Sequence, residues 1–535
     1  MANGYAGKIL RVDLTTGTTG VIDTDRYEEF GGGYGIGTAL FWDLAVAPGE
    51  WDLRDPYDPR NVLPIITGPL GATGVPGAGR TSVCGLSPET WPTSEFWRAN
   101  LGGLFGSMMK LAGWDGVVIE GRAAHPVWIS IVNDRVGIED ARELWGLDTW
   151  ETQNRITSRV CGHARLGEEW HEAGEGWSTA RPQIVCIGPI GETRSRLAAL
   201  VSGSGISARV GAYGAVFGAK NLKAVSVIGT GGVRVADPGG LVEARLWQMR
   251  GARPYPPRAG AASCSPCLNG DRRRSNYYGG ETMCACQGWL GAGHSQTDQD
   301  RASEELIKYG ISSWSAHWNR DFFETEGAPD FFQGRIPSDS GLGWYLKYLY
   351  EQGVLGPGRE IESAPLPMDR MDSLAFRLAL LDAVARREGI GDALAEGACR
   401  AAERWGRLER DRESGALRLP AWGATSHWTM PYAEWAYAYM LGAGDPAWHG
   451  FTLPVLMSII AMVGGVVLYI ALRRYLARGA EGAPLLRRWQ GKRVFERTLV
   501  AIAWRASRLE AFLGTRRLQP QLQVLFFVTI LAALV

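Results

Sequence analysis

The chain has 535 residues, enough for two to four domains and for a core that needs no disulfides. Its 56 basic and 56 acidic residues cancel, so no net charge recommends a nucleic-acid partner. The charge is placed unevenly: residues 473–517 hold twelve basic side chains against Glu481, Glu496 and Glu510, leaving that segment at +9 and the rest at −9.

The N-terminus, Met1-Ala-Asn-Gly-Tyr-Ala-Gly-Lys8, has neither an apolar stretch nor a twin arginine, which predicts no export signal. Residues 1–230 read as strands punctuated by glycine. Residues 8–14 alternate apolar and polar, turn at Thr15-Thr-Gly17, and return through 21–24 as a hairpin. Further strands are predicted at 62–66, 116–120, 127–132, 183–187 and 224–228, with helical periodicity only at 34–44 and 104–112. Gly31-Gly-Gly-Tyr-Gly-Ile-Gly37 contains a GxGxxG-like phrase, but it follows no clean strand and lacks a well-placed acidic partner, which argues against a dinucleotide site.

From 235 to 446 the pattern turns helical, at 238–250, 299–309, 341–352, 373–387 and 391–405, with Gly353 and Gly389 as stops. Four of the eight cysteines fall inside this region within 23 residues, as Cys264-Ser-Pro-Cys267 and Cys284-Ala-Cys286. Clustered thiols in a long chain bind a metal or an iron–sulfur cluster, and the spacing alone leaves zinc and iron–sulfur open. After 447 the character changes again. Residues 451–472 carry no charge and are long enough to span a bilayer, 494–513 form a basic amphipathic stretch, and 522–535 are a second apolar run. The fold class is therefore α+β: a strand-rich domain over 1–230, a helical domain over 235–446, and C-terminal membrane helices over 447–535.

Several glycine phrases open helices or precede strands, where backbone N–H groups approach an anion. Gly77-Ala-Gly-Arg80, Asn100-Leu-Gly-Gly-Leu-Phe-Gly106 and Ser207-Ala-Arg-Val-Gly-Ala-Tyr-Gly-Ala-Val-Phe-Gly218 are three of them, and together they suggest a large anionic cofactor. A longer series begins with Gly77-Ala-Gly-Arg-Thr-Ser-Val83, Ala99-Asn-Leu-Gly-Gly-Leu-Phe-Gly106 and Leu111-Ala-Gly-Trp-Asp-Gly-Val-Val-Ile-Glu-Gly121. Ile187-Gly-Pro-Ile-Gly-Glu192, Gly214-Ala-Val-Phe-Gly-Ala-Lys-Asn-Leu-Lys-Ala-Val225 and Ala385-Arg-Arg-Glu-Gly-Ile-Gly-Asp-Ala-Leu-Ala-Glu-Gly397 follow in order. Together they resemble the tungsten-dependent aldehyde ferredoxin oxidoreductases over roughly residues 5–446. The resemblance implies oxidation of an aldehyde and water to a carboxylic acid at a bis-pterin tungsten or molybdenum centre. It also implies that electrons leave through a 4Fe-4S cluster to ferredoxin or an iron–sulfur electron-transfer subunit. The family's pterin-contacting positions fall on Arg80, Asn100, Gly102, Gly103, Arg209 and Gly211. The cluster loop begins with Cys264 and Cys267, and Cys284 or Cys286 substitutes for the usual third cysteine, whose place is taken by Asp271. Glu281 matches the active-site glutamate, and His449 falls near the active-site histidine. The first Asp-x-x-Gly-Leu box reads Ile307-Lys-Tyr-Gly-Ile311, without its aspartate, and the second, with the fourth cluster cysteine, has no counterpart.

The tail resembles a short internal piece of the large subunit of Mrp-type cation/proton antiporters. The matching phrases are Trp448-His-Gly-Phe-Thr-Leu-Pro-Val-Leu-Met-Ser-Ile459, Leu485-Leu-Arg-Arg-Trp-Gln-Gly491 and Leu513-Gly-Thr-Arg-Arg-Leu-Gln-Pro-Gln-Leu522. Residues 451–472 contain no ionisable group, so this piece has no proton path of its own. The positive-inside rule keeps the +9 segment cytoplasmic and puts the preceding domains outside, whereas cofactor assembly requires them in the cytoplasm. The expectations are an aldehyde oxidoreductase, cytoplasmic over 1–446 and membrane-bound if the tail inserts. The alternatives are an inactive, truncated or chimeric product, or a membrane antiporter component.

Overall fold

The computed structural model describes residues 2–48, 52–75, 78–203, 206–208, 211–251, 261–262, 272–273, 294–311 and 342–417. The chain divides into two units, Met1–Pro446 and Ala447–Val535, and every described residue lies in the first.

The strand-rich region opens with a hairpin of β1 (Lys8–Asp13) and β2 (Thr18–Asp23), followed by α1 (Tyr34–Phe41). Three antiparallel strands come next: β3 (Leu63–Thr67), β4 (Thr81–Leu86) and β5 (Phe96–Leu101). Then α2 (Phe105–Leu111) leads to β6 (Gly116–Glu120), which inserts parallel to β1 and antiparallel to β3. The spatial order is β2-β1-β6-β3-β4-β5.

The chain then repeats this plan. A hairpin of β7 (Val127–Val132) and β8 (Arg135–Asp140) is followed by α3 (Thr149–Cys161) and a small inserted hairpin, β9 (His171–Ala173) with β10 (Gly176–Ser178). Then come β11 (Gln183–Cys186), the single turn α4 (Pro189–Glu192), β12 (Leu200–Ser202), β13 (Ile206–Ala208), α5 (Tyr213–Ala219) and β14 (Leu222–Ile228). The second sheet is ordered β13-β12-β11-β14-β7-β8, with β14 parallel to β7 and every other pair antiparallel. Strand for strand this is the first sheet again, so the region is an internal duplication.

Both faces of each sheet are covered, which is why the strands read as nearly continuous apolar runs. On β1, Leu10 and Val12 join one core while Ile9 faces another; on β6, Val117 and Ile119 join the first and Val118 the second. The first core also takes Phe105 and Met109 of α2, Val216 and Phe217 of α5, and Ile129, Val185 and Val225 of the second sheet. The second is closed by Ile36 and Leu40 of α1. On the outer side of the second sheet, Ile156 of α3 packs with Trp128, Ile184 and Ala224.

Glycine lets the short helices approach closely. A Cβ on Gly214 of α5 would lie 2.6 Å from the Ala199 carbonyl oxygen, and one on Gly218 would lie 2.0 Å from that of Gly191. Backbone cannot yield as a side-chain tip can. Gly218→Ala is expected to cost roughly 3 kcal/mol, read as a lower urea midpoint, and an unchanged midpoint would refute this packing.

After β14 come α6 (Pro238–Gly251), the short antiparallel pair β15 (Ala261–Ala262) and β16 (Arg272–Arg273), then α7 (Gln296–Tyr309) and α8 (Leu342–Glu351). The remaining helices are α9 (Leu374–Arg386), α10 (Ile390–Ala395), α11 (Ala398–Arg404) and α12 (Leu408–Glu413). Their core, including Leu306, Leu346, Phe376, Leu380 and Leu394, continues into Ile190, Leu197 and Val201 of the second repeat. The helical region is thus fused to the second sheet.

Three expectations need correction. The helix expected at 391–405 is broken at Gly397 (φ +86°) into α10 and α11. The helix expected at 34–44 ends at Phe41 and continues as a π-turn, Trp42–Val46. The strand-rich region also contains α3, a 13-residue helix that is not among the expected elements. The Gly31 run joins a 3-10 turn, Thr24–Phe30, to α1. Among the described residues no helix is long and apolar enough to cross a membrane; residues 451–472 and 522–535 lie outside them.

Candidate functional site

The outer strands β5 and β13 of the two sheets lie beside one another, so the sheets meet along a seam. The β4–β5 hairpin runs along it. At its open end, Thr81 pairs with Leu101 and Ser82 with Asn100, which brings Arg80 beside Gly102 and Gly103. Strand alternation puts Ser82 of one strand and Arg98 and Asn100 of the other on one face, and Arg80 immediately precedes the first of these strands. Ser82 Oγ donates to Asn100 Oδ1 at 3.2 Å. Arg80, Arg98 and Asn100 are exposed, and the Arg98 guanidinium lies 5.1 Å from the Tyr34 ring centroid. Neither arginine has an ion pair among the described residues. Two uncompensated guanidiniums beside a hydroxyl and an amide make a donor-rich face suited to an anionic, hydrogen-bonding ligand.

Gly211 stands at the other end of the same hairpin. Its N–H donates to the Glu89 carboxylate and its carbonyl accepts from Ser87 Oγ at 3.1 Å, both on the β4–β5 loop. Two residues on, the Tyr213 hydroxyl donates within reach of the Gly85 and Trp97 carbonyls, at 3.1 and 2.5 Å. Gly103 (φ +79°) and Gly211 (φ +88°) are equivalent in the duplication, each three residues ahead of a helix glycine, Gly106 or Gly214. A Cβ on Gly211 would strike the Tyr213 ring at 2.5 Å. The two glycine turns are separated by the length of a six-residue strand, roughly 20 Å.

A family profile described as aldehyde ferredoxin oxidoreductase, N-terminal domain, matches residues 9–229, which span the duplication. The tungsten-containing aldehyde ferredoxin oxidoreductase of Pyrococcus horikoshii is 32% identical over 463 residues, covering 79% of this chain and 72% of that protein. The chain belongs to the aldehyde ferredoxin oxidoreductase family. That family is one of oxidoreductases. The fold is also that of the active-site complex BamBC of benzoyl-coenzyme A reductase, with a TM-score of 0.56 at 23% identity, covering 78% of this chain and 67% of that one. A separate match, 44% identical over 108 residues, is to a probable K(+)/H(+) antiporter component of Rhizobium meliloti, covering 19% of this chain and 11% of that protein.

For this member of the aldehyde ferredoxin oxidoreductase family, the fold brings Arg80, Asn100, Gly102 and Gly103 together and sets Gly211 at the far end of the seam. Arg209, Cys264, Cys267, Glu281, Cys284, Cys286 and His449 lie outside the described residues. Among the described residues no group of three His, Cys, Asp or Glu side chains could hold a metal ion. Cys84, Cys161 and Cys186 are core residues whose thiols are pushed up by burial to about 12, 11 and 12, which makes them poor nucleophiles and ligands. Where the family box has its aspartate, Ile307 is buried among apolar residues, and its carbonyl accepts from Thr149 Oγ1 at 2.9 Å. Sequence reasoning missed Ser82, Arg98, Ser87 and Glu89. The alternation of Arg98 and Asn100 around buried Ala99 was the available signal for Arg98.

Proposed function

We propose that the protein is an aldehyde oxidoreductase that converts an aldehyde and water to a carboxylic acid, releasing two electrons and two protons. The observation that carries this reading is membership of the aldehyde ferredoxin oxidoreductase family over most of both proteins' lengths. The seam supports it independently. Its two equivalent glycine turns, roughly 20 Å apart, suit an elongated ligand with two similar arms, and the donor-rich face suits its anionic groups.

The residues present fit a bis-pterin tungsten or molybdenum group. Arg80, Asn100, Gly102 and Gly103 would hold one arm, and Arg209 and Gly211 the other. Such a group, when bound, supplies the two-electron redox chemistry. The guanidiniums of Arg80 and Arg98 neutralise anionic charge, and the Asn100 amide orients by hydrogen bonding. The Glu281 carboxylate takes up a proton as water adds to the carbonyl carbon. Cys264, Cys267 and either Cys284 or Cys286 would bind a 4Fe-4S cluster that passes electrons to ferredoxin or an iron–sulfur protein. The full chain purified without oxygen should contain tungsten or molybdenum and about four irons per chain, and should reduce a viologen dye when an aldehyde is added. Zinc as the sole metal, with no aldehyde-dependent reduction, would sink the reading.

A second reading concerns the residues after Pro446. The antiporter match supports taking the tail as a short piece of a transport protein joined to an oxidoreductase. The uncharged segment 451–472 offers no proton relay, so antiport by this piece is not proposed. The conflict between the +9 segment and a cytoplasmic oxidoreductase favours a chimeric reading frame. Contiguous DNA reads across the codon of Pro446 would overturn that; their absence would support it.

A further inference from the structure

Both backbone polar atoms of Gly211 are held by side chains of one loop, its N–H by Glu89 and its carbonyl by Ser87. That loop is itself gripped on either side of Glu89. Arg196 Nη1 donates to the Pro88 carbonyl at 2.7 Å, and Arg400 Nη2 donates to the Thr90 carbonyl at 2.6 Å. Arg400 belongs to α11, and Arg196 is ion-paired at 2.7 Å with Glu396, which follows α10. Glu396 is also paired with Arg387 at 2.8 Å. Within the loop, Thr90 Oγ1 donates to the Ser87 carbonyl at 3.0 Å and the Glu89 N–H donates to Ser87 Oγ at 3.2 Å. Gly211 and Ala212 both take left-handed backbone angles (φ +88° and +50°), a turn that costs free energy at alanine and needs external restraint. Among the described residues, the equivalent Gly103 has no such side-chain clamp. The duplicated turns are alike in backbone and different in support.

We propose that Glu89 is a positioning residue for the second arm of the cofactor: with Ser87 it fixes the Gly211 turn, and Arg196 and Arg400 tie that turn to the helical region. The cofactor part of this inference rests on the function proposed above; the clamp itself does not. Glu89 touches no reacting atom in this scheme. It acts through the backbone of Gly211, and what matters is its acceptor oxygen more than its charge. Glu89→Gln keeps an acceptor, and Glu89→Ala removes it.

The test compares these two variants with wild type in the full chain purified without oxygen, by amide hydrogen exchange of the 211–213 segment and by tungsten or molybdenum retained after dialysis. Glu89→Ala is expected to exchange about tenfold faster at Gly211 and to lose metal severalfold faster at an unchanged melting temperature. Glu89→Gln should remain close to wild type on both measures. Wild-type exchange at Gly211 in Glu89→Ala, or equal defects in the two variants, would overturn the proposal. If wild type holds neither tungsten nor molybdenum, the cofactor role falls with the proposed function, and exchange at Gly211 still decides the clamp.

Discussion

Lys223→Met is expected to lower the unfolding free energy by about 3–5 kcal/mol, whereas the double variant Glu192→Met/Lys223→Met should recover most of that loss. Lys223 Nζ, fully buried in β14, donates to Glu192 Oε1 at 2.5 Å and to the Leu147 carbonyl at 2.8 Å. Both Glu192 oxygens accept from the Gly146 N–H at 2.9 Å. This pair joins α4, β14 and the turn ahead of α3. Burial pushes the Glu192 carboxyl above its ordinary range, and the Lys223 charge works against that shift. Desolvation therefore offsets much of the attraction, so the intact pair adds little net stability. Removing one partner leaves a desolvated carboxylate with only the Gly146 N–H. Guanidinium unfolding of the two single variants and the double would give the coupling. Additive losses in the double variant would refute the argument.

The same pair marks how far the sequence could be read. Glu192 and Lys223 both lie in phrases that carried the family resemblance, but their 31-residue separation gives no hint that they touch. Their quasi-equivalent in the first repeat has the opposite sign. Asp115, also two residues beyond a left-handed turn, accepts from the Ala6 and Gly7 N–H groups at 2.9 and 2.8 Å and from Thr24 Oγ1 at 2.8 Å. A duplication that replaces an acid with a base at matched positions escapes residue-type comparison. It becomes visible only through strand order.

Strands covered on both faces announce themselves as apolar runs, so β3, β6, β7, β11 and β14 were readable. The helix α3 was not, because its inward face is polar and β-branched: Thr149, Thr152, Gln153 and Thr157 are buried beside Ile156. Tertiary packing and the Asp148 cap, which accepts from the Trp150 and Glu151 N–H groups at 2.7 and 2.8 Å, override weak propensity there. The candidate site divides in the same way. Glycines and Arg80 could be named from phrases, but Glu89 and Ser87 matter only because a distant turn folds back onto their loop.

Raising the pH from 7 to 9 is expected to stabilise the cofactor-free fold by about 2 kcal/mol through Lys220 alone. Its ammonium is buried at the end of α5, donating to the Pro59 and Gly121 carbonyls at 3.0 and 2.9 Å. Burial pulls its pKa down from 10.5 to about 7, and no carboxylate lies close enough to restore it. The unfolded chain therefore binds the proton more tightly between pH 7 and 10.5, and stability climbs across that window. The thiols of Cys84, Cys161 and Cys186 act with the opposite sign. Their folded values near 12, 11 and 12 lie above the ordinary 9, so their contribution is intact below pH 9 and is lost as pH rises beyond it. These thiols already ionise in the unfolded chain as pH nears 9, so it is the comparison with a variant that keeps all three that isolates the lysine. Lys220→Met leaves two carbonyls without their donor and is less stable throughout, but its stability should lack the wild-type rise. Urea midpoints at pH 7, 8 and 9 under reducing conditions measure the difference. Parallel curves for the two proteins would mean that Lys220 stays charged in the fold, held by carbonyl dipoles strongly enough to offset its desolvation.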